Sequence, residues 1–145
     1  MAVSPQFYLT MPEIRSSTSR VIFSDINFRS SAIGDDDLAL NMRSISHSIM
    51  TILSTYKKQR LFHPTFGANL ERYLFDPVDD ITADNLKNEI FKSITDWEPN
   101  VTVRSSDVIV TPFLDEEYYI VELKFSVPRL ESSGQLTFSL TKSRL

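Results

Sequence analysis

"DPVDDITADNLKNEIFKSITDWEPNVTV", residues 76–103, contains the change of period on which the fold turns. Leu86, Ile90, Ile94 and Trp97 recur at i, i+4, i+8 and i+11, the stripe of an amphipathic helix. Thr82 is a suitable N-cap for that helix, with Asp84 in its first turn. The helix should end near Trp97, because the residue before Pro99 is biased away from the α region. Pro99 alone accounts for the stop, and Trp97 is the last step of the stripe. Glu98 is left without a folding role.

Downstream the spacing becomes that of strands. "VTVRSSDVIVTPF" and "YYIVELKFSV" are β-branched or aromatic and alternate. In the second run Tyr119, Val121, Leu123, Phe125 and Val127 share one face, and Ile120, Glu122, Lys124 and Ser126 the other. Pro112 and "LDEE" predict the hairpin loop between the two runs. "PRLESSG" predicts a second loop, and "QLTFSLT" a third strand with Leu136, Phe138 and Leu140 on one face.

Upstream, Met42, Ile45, Ile49, Ile52 and Leu53 form a helical stripe, with Arg43, Ser44 and Ser48 off it. Asn41 is placed to cap this helix, and Lys57, Lys58 and Arg60 lie just past its end. Leu38 and Leu40 alternate with polar neighbours, as a short lead-in strand would. Pro64 and Gly67 mark a turn, and Phe66, Leu70, Tyr73 and Leu74 then predict a short helix closed by Asp76-Pro77. Residues 1–35, Ser-rich with Pro5 and Pro12, have no sustained helical period. They are expected to be an N-terminal arm, with Val21, Phe23, Ile26 and Phe28 in an extended segment that needs covering. The order predicts an α+β fold: an N-terminal arm, three helices, then a three-stranded antiparallel meander packed on the helices. Residues 36–145 form its single domain, with the stripes of the first and third helices facing the sheet.

Composition narrows the function. A chain of 145 residues suits one domain, and 41% hydrophobic with 23% charged residues is ordinary globular usage. The net charge of −4 argues against a free-standing nucleic-acid binder. The absence of cysteine removes disulfides and thiolate zinc sites. No apolar run approaches the roughly 20 residues of a membrane span. The N-terminus lacks the pattern of a secretory signal. A protein used in the cytosol, or in an assembly built there, is expected.

Motifs for catalysis are missing. There is no GxSxG, and three isolated glycines cannot build a phosphate-cradling loop. His47 and His63 lack metal-ligand spacing; His47 flanks the first stripe as a boundary histidine would. The acidic clusters at Asp35–Asp37, Asp79–Asp80 and Asp115–Glu117 fall in predicted loops and helix starts, where solvated carboxylates are usual. "YKKQR" suits a solvated helix end better than a phosphate site. No cofactor or metal is expected. What remains is surface: a basic turn, the "DWEPNV" junction and a terminal strand whose edge another chain can extend.

From "SIMTILSTYKK" to "DWEPNVTV" the chain resembles the baseplate wedge and sheath-initiator family of contractile phage tails, which includes the type VI secretion baseplate subunit. The family pattern is a helix ending Ile-Leu-x-Thr, a basic turn, Pro-x-Phe-Gly, a Leu-Phe-x-Pro-like helix end, a long helix, then Glu-Pro-Arg and strands. Its counterparts here are Ile52, Leu53, Thr55, Arg60, Pro64, Phe66, Gly67, Leu74, Phe75, Glu98 and Pro99, in a match over residues 40–127. There are two departures. The turn has Lys58-Gln59-Arg60 where the family usually has Gly before Glu-Arg or Ser-Arg, and Asn100 stands where the family has Arg. Asn is neutral and shorter, so any ion pair of that arginine is lost or moved.

The resemblance implies a non-enzymatic structural subunit of the virion's tail baseplate, assembled in the host cytoplasm in several copies around a six-fold baseplate. It implies docking on the wedge's helical core bundle through the junction, Trp97, Glu98, Pro99 and Asn100, with Arg60. It also implies a terminal strand, Gln135, Leu136, Thr137, Phe138, Ser139, Leu140 and Thr141, that the first ring of the sheath protein extends. On this view deleting residues 135–145 should spare the wedge contact and impair the sheath. Two alternatives stand beside it. One is a lysozyme-like peptidoglycan hydrolase with Glu98 as acid and Asp96 or Asp115 as its partner. The other is a soluble regulatory adaptor of similar fold.

Overall fold

A computed structural model describes residues 22–26 and 38–141. Most of the expected arm, Val21 and Phe28 included, and its expected boundary at residue 35 lie outside the described residues. In chain order the elements are β1 (Ser24–Ile26), β2 (Leu38–Leu40), α1 (Met42–Ser54), α2 (Leu70–Leu74), α3 (Asp80–Trp97), β3 (Val108–Phe113), β4 (Tyr118–Val127) and β5 (Ser132–Thr141). Three helices and a three-stranded antiparallel sheet make the expected α+β fold.

The sheet is a meander in the order β3-β4-β5, with Val108 opposite Leu123 and Val121 opposite Phe138. Its inward face is the predicted one: Tyr119, Val121, Leu123, Phe125 and Val127 from β4, and Leu136, Phe138 and Leu140 from β5, are all buried. They share one core with Ile45, Ile49 and Leu53 of α1 and Leu86, Ile90 and Ile94 of α3. α3 packs on β3 and α1, and α1 reaches β5. Each such aliphatic contributes about 1.5–3 kcal/mol by leaving water, so the two helical stripes and the sheet face hold the domain together.

Local differences from the expected elements have plain causes. Asn41 is at the N-cap position of α1, where its carbonyl accepts the Ile45 N–H at 3.1 Å. Its side chain does not cap, because Oδ1 accepts the N–H groups of Ile22 (2.9 Å) and Phe23 (3.2 Å). Asn41 N–H also donates to the Phe23 carbonyl at 2.8 Å, so this residue ties the segment beside β1 to the domain. The β1–β2 pairing, Ser24 opposite Leu40, continues the same contact.

Ser44 is buried although it was expected off the stripe; Ser46 is buried too, its Oγ donating to the Met42 carbonyl at 2.9 Å. α3 begins before Thr82: Asp79 is the cap, its Oδ1 accepting the Thr82 N–H at 2.6 Å. That N–H holds the Asp79 carboxyl below its usual range. Phe66 lies ahead of α2, which is only five residues long. Pro112 is inside β3 rather than in the loop. β5 starts at Ser132, because Glu131 in the left-handed region (φ 48°) closes a turn shorter than predicted.

Candidate partner-binding surfaces

The junction is built where α3 runs into the sheet. The Glu98 N–H caps α3 on the Ile94 carbonyl at 2.9 Å, and the Val101 N–H returns to the Glu98 carbonyl at 3.2 Å. Pro99 occupies the second position of that turn, where its fixed φ is favoured. Glu98 itself is only 5% exposed. The Ser48 hydroxyl of α1 donates to its Oε2, and Asn100 Nδ2 donates to its Oε1 at 3.1 Å. The expectation that Glu98 has no folding role is therefore corrected: its carboxylate joins α1, the end of α3 and the turn. Asn100, in the position of the family arginine, supplies a neutral donor to this lock.

Trp97 is half-buried and packs edge-to-face on Phe66, with centroids 5.1 Å apart and planes at 62°. The Arg60 guanidinium lies 3.9 Å from the Phe66 centroid, completing a cation–aromatic stack. Two segments distant in sequence thus meet: the α1–α2 loop supplies Arg60 and Phe66, and α3 supplies Trp97. Gly67 makes the approach possible. It has φ 101°, and a Cβ there would sit 2.1 Å from the Thr55 carbonyl oxygen. At the same neck the Ala68 N–H donates to that oxygen at 3.0 Å.

Lys57 does not serve the end of α1. Its Nζ pairs with Glu89 Oε1 of α3 at 2.5 Å, and the Asn69 N–H reaches the same oxygen at 3.2 Å. Burial pushes the Glu89 carboxyl up, but the Lys57 and Asn69 donors, with the charges of Lys57 and Lys92, hold it below the usual carboxylate range. Between this loop and α3 lies an open cleft of about 620 Å³, lined by Lys58, Lys92, Asp96 and Trp97 among others.

The terminal strand offers different chemistry. Thr102 and Ser126 exchange both backbone hydrogen bonds, at 2.8 and 3.0 Å, on the β3 side of β4. Backbone groups along a strand alternate in direction, so Phe125, Leu123, Val121 and Tyr119 point toward β5. Their partners Gly134, Leu136, Phe138 and Leu140 bond inward to β4. Gln135, Thr137, Ser139 and Thr141 then direct N–H and C=O to the outer edge, which no strand among the described residues covers. The same alternation directs Pro112 outward from β3, where its missing N–H costs no ladder bond. Of the expected strand residues, Leu136, Phe138 and Leu140 give their side chains to the core. The expected effect of deleting residues 135–145 is corrected accordingly, because the deletion removes part of the core.

The expected acids do not assemble. Asp96 is exposed, while Glu98 is buried and bonded at the C-terminal end of α3. Asp115 lies in the β3–β4 turn, next to Tyr118 and Tyr119, and the Tyr119 hydroxyl donates to the Pro77 carbonyl at 3.4 Å, at the N-terminal end of α3. The 18 residues of α3 separate those two ends by about 27 Å, several times the spacing of a glycosidase pair. Among the described residues no group of three His, Cys, Asp or Glu is placed to hold a metal. No helix among them is long and apolar enough to cross a membrane.

Sequence reasoning missed Ser48 as the partner of Glu98 and Phe66 as the partner of Trp97. Spacing within one helix carries no signal for a contact 50 residues away.

The sequence model of the family described as baseplate wedge protein gp25 matches residues 40–127. The baseplate wedge protein gp25 of Enterobacteria phage T4 is 33% identical over 108 residues, covering 73% of this chain and 80% of that protein. Among solved structures, the crystal structure of a putative tail lysozyme from Geobacter sulfurreducens superposes with a TM-score of 0.61 at 22% identity, over 69% of this chain and 89% of that one. A chain of the anti-feeding prophage baseplate superposes with a TM-score of 0.56 at 17% identity, over 84% of this chain and 87% of that one. At these identities the two structures share a fold with this chain.

Proposed function

The chain belongs to the baseplate wedge protein gp25 family, and from that premise we propose that it is a structural tail subunit that docks on the wedge's helical core bundle and templates the first sheath ring through β5. The observation that carries the templating role is the outer edge of β5. Four alternate residues, Gln135, Thr137, Ser139 and Thr141, aim backbone groups outward, while the side chains between them anchor the strand in the core. A strand added there gains main-chain hydrogen bonds on a rigid template. The corner of Arg60, Phe66 and Trp97, braced by Glu98, is the wedge-facing surface in this reading, and the sheath protein and other wedge proteins are the partners. The chemistry is non-enzymatic: Glu98 is bonded to Ser48 and Asn100, and Asp115 lies at the far end of α3. A regulatory adaptor would need neither a complete edge nor a place in a complex.

Thr137→Pro tests the templating role. The substitution removes an outward N–H and leaves the β4 ladder intact, so folding should cost about 1 kcal/mol or less. Electron microscopy of assembled tails should show baseplates without sheath. Sheaths of normal length on tails that contain the variant would refute the templating role. A zymogram on peptidoglycan checks the non-enzymatic reading; clearing by the wild type and not by Glu98→Gln would overturn it.

A further inference from the structure

The α1–α2 loop carries two large apolar side chains at its tip: Leu61 is 94% exposed and Phe62 is 90% exposed. Single exposed apolar residues are normal on any surface. An adjacent pair held out on a braced loop is a different case, because its position is specified. Gln59 N–H bonds the Tyr56 carbonyl (3.2 Å), Lys58 N–H the Pro64 carbonyl (2.7 Å), and Phe66 N–H the His63 carbonyl (3.0 Å). Gln59 Oε1 accepts the Tyr56 N–H at 3.1 Å. The neck is pinned at Gly67 and Thr55, and one flank by Arg60 on Phe66. A loop ordered in this way presents its tip with little entropy left to lose on binding.

The surroundings state the partner's charge. The chain as a whole carries −4, but Lys58 and Lys92 line the adjoining cleft, where Asp96 is the one acid among the described lining residues, and Arg60 is exposed beside the tip; Glu71 lies nearer Tyr56 at the base of the loop. Lys57 is already neutralised by Glu89. An apolar, aromatic-bearing centre inside a polar rim is the usual anatomy of a protein interface.

We propose that Leu61 and Phe62 form a docking wedge that inserts into an apolar hole rimmed by Asp or Glu side chains on another tail protein, whose acidic groups meet Lys58, Arg60 and Lys92. This rests on the wedge-subunit reading and adds to it the anchors and the partner's chemistry. A protein is favoured over a lipid surface because the cations at the tip and its cleft among the described residues, Lys58, Arg60 and Lys92, are sparse and Asp96 interrupts them. Anionic membranes are held by denser basic faces.

The test uses the full chain expressed with the other tail proteins. Leu61→Ser/Phe62→Ser should keep the wild-type melting temperature, since neither side chain packs in the core, and should reduce incorporation into purified tails at least tenfold. Lys58→Glu/Lys92→Glu should reduce it at least threefold. With a benzoyl-phenylalanine photo-crosslinker at position 62, the adduct should map to an acidic surface of a different tail protein. Equal incorporation of the serine variant overturns the wedge while leaving the subunit reading in place. Absence of the wild-type chain from tails overturns the subunit reading and the wedge with it. An adduct only to a second copy of this chain overturns the assignment. So does binding to phosphatidylglycerol–phosphatidylcholine vesicles that the serine variant loses.

Discussion

Glu98 and Ser139 lie on the two proposed contact surfaces, and they offer a partner opposite parts of the residue. At the junction the side chain is committed inward, to Ser48 and Asn100. A partner there meets what the lock positions: Trp97, Phe66 and Arg60. Along β5 the backbone faces outward at alternate residues and the intervening side chains are committed to the core. Sequence identity matters at the first surface, where a changed atom moves an anchor. At the second it matters little, because every residue except proline carries the same edge groups. A surface's tolerance to substitution follows from which atoms it exposes.

The largest expected effect comes from cutting β5. A chain ending before residue 135 loses Leu136, Phe138 and Leu140 from the core. At about 2–5 kcal/mol for each large core truncation, the loss rivals the whole stability of a domain this size. No cooperative urea transition should remain; a sharp one would show that β5 is an appendage and break the comparison.

Glu98→Ala comes next. It strands a hydroxyl and an amide donor and should cost about 2–3 kcal/mol, with Ser48→Ala costing about 1 kcal/mol through loss of the same bond. Equilibrium unfolding decides this: additive single and double mutants would mean that Ser48 and Glu98 do not act as a pair. Trp97→Ala should cost about 1–2 kcal/mol, because the ring is only half-buried. Arg60→Ala should cost about 0.5–1 kcal/mol and weaken tail incorporation more than folding. If both losses track stability alone, the corner is core and not a contact surface.

The smallest effect sharpens the electrostatics of the loop. The Glu89 carboxyl is held below its unfolded value of 4.5, so its pairing stabilises the fold above that pH and is lost as pH falls through the lower, folded value. Glu89→Gln should cost about 0.5–1 kcal/mol at pH 7, and the difference from wild type should vanish in acid. A difference that persists unchanged at pH 2 would assign the effect to packing rather than charge.

The α3 stripe, the Trp97 stop and the inward faces of β4 and β5 were legible in the sequence because period and proline act within a few residues. Boundaries were less so. Thr82 and Asp79 are both good caps, and the choice between them depends on which residue the chain enters in extended form. Asn41 was legible as a helix start, but its side chain was claimed by Ile22 and Phe23, backbone from another segment. Glu98 stood out in the sequence as a residue without a local role. Its partner could not be found there, because Ser48 looked like any polar residue off a stripe.

Local periodicity therefore determined the element order, the α+β class and the core, since helix and strand faces follow from spacing that the chain carries wherever it folds. The family pattern from Ile52 to Pro99 was equally present in the linear text. Only the tertiary structure decided that a carboxylate at the end of one helix would close on a hydroxyl from another, which alternate residues of β5 would turn their backbone to an edge that no described strand covers, and that Leu61 and Phe62 would stand in solvent. Those outcomes depend on which distant segments come within hydrogen-bonding or packing distance, and distance in space is the quantity that spacing along a chain does not contain.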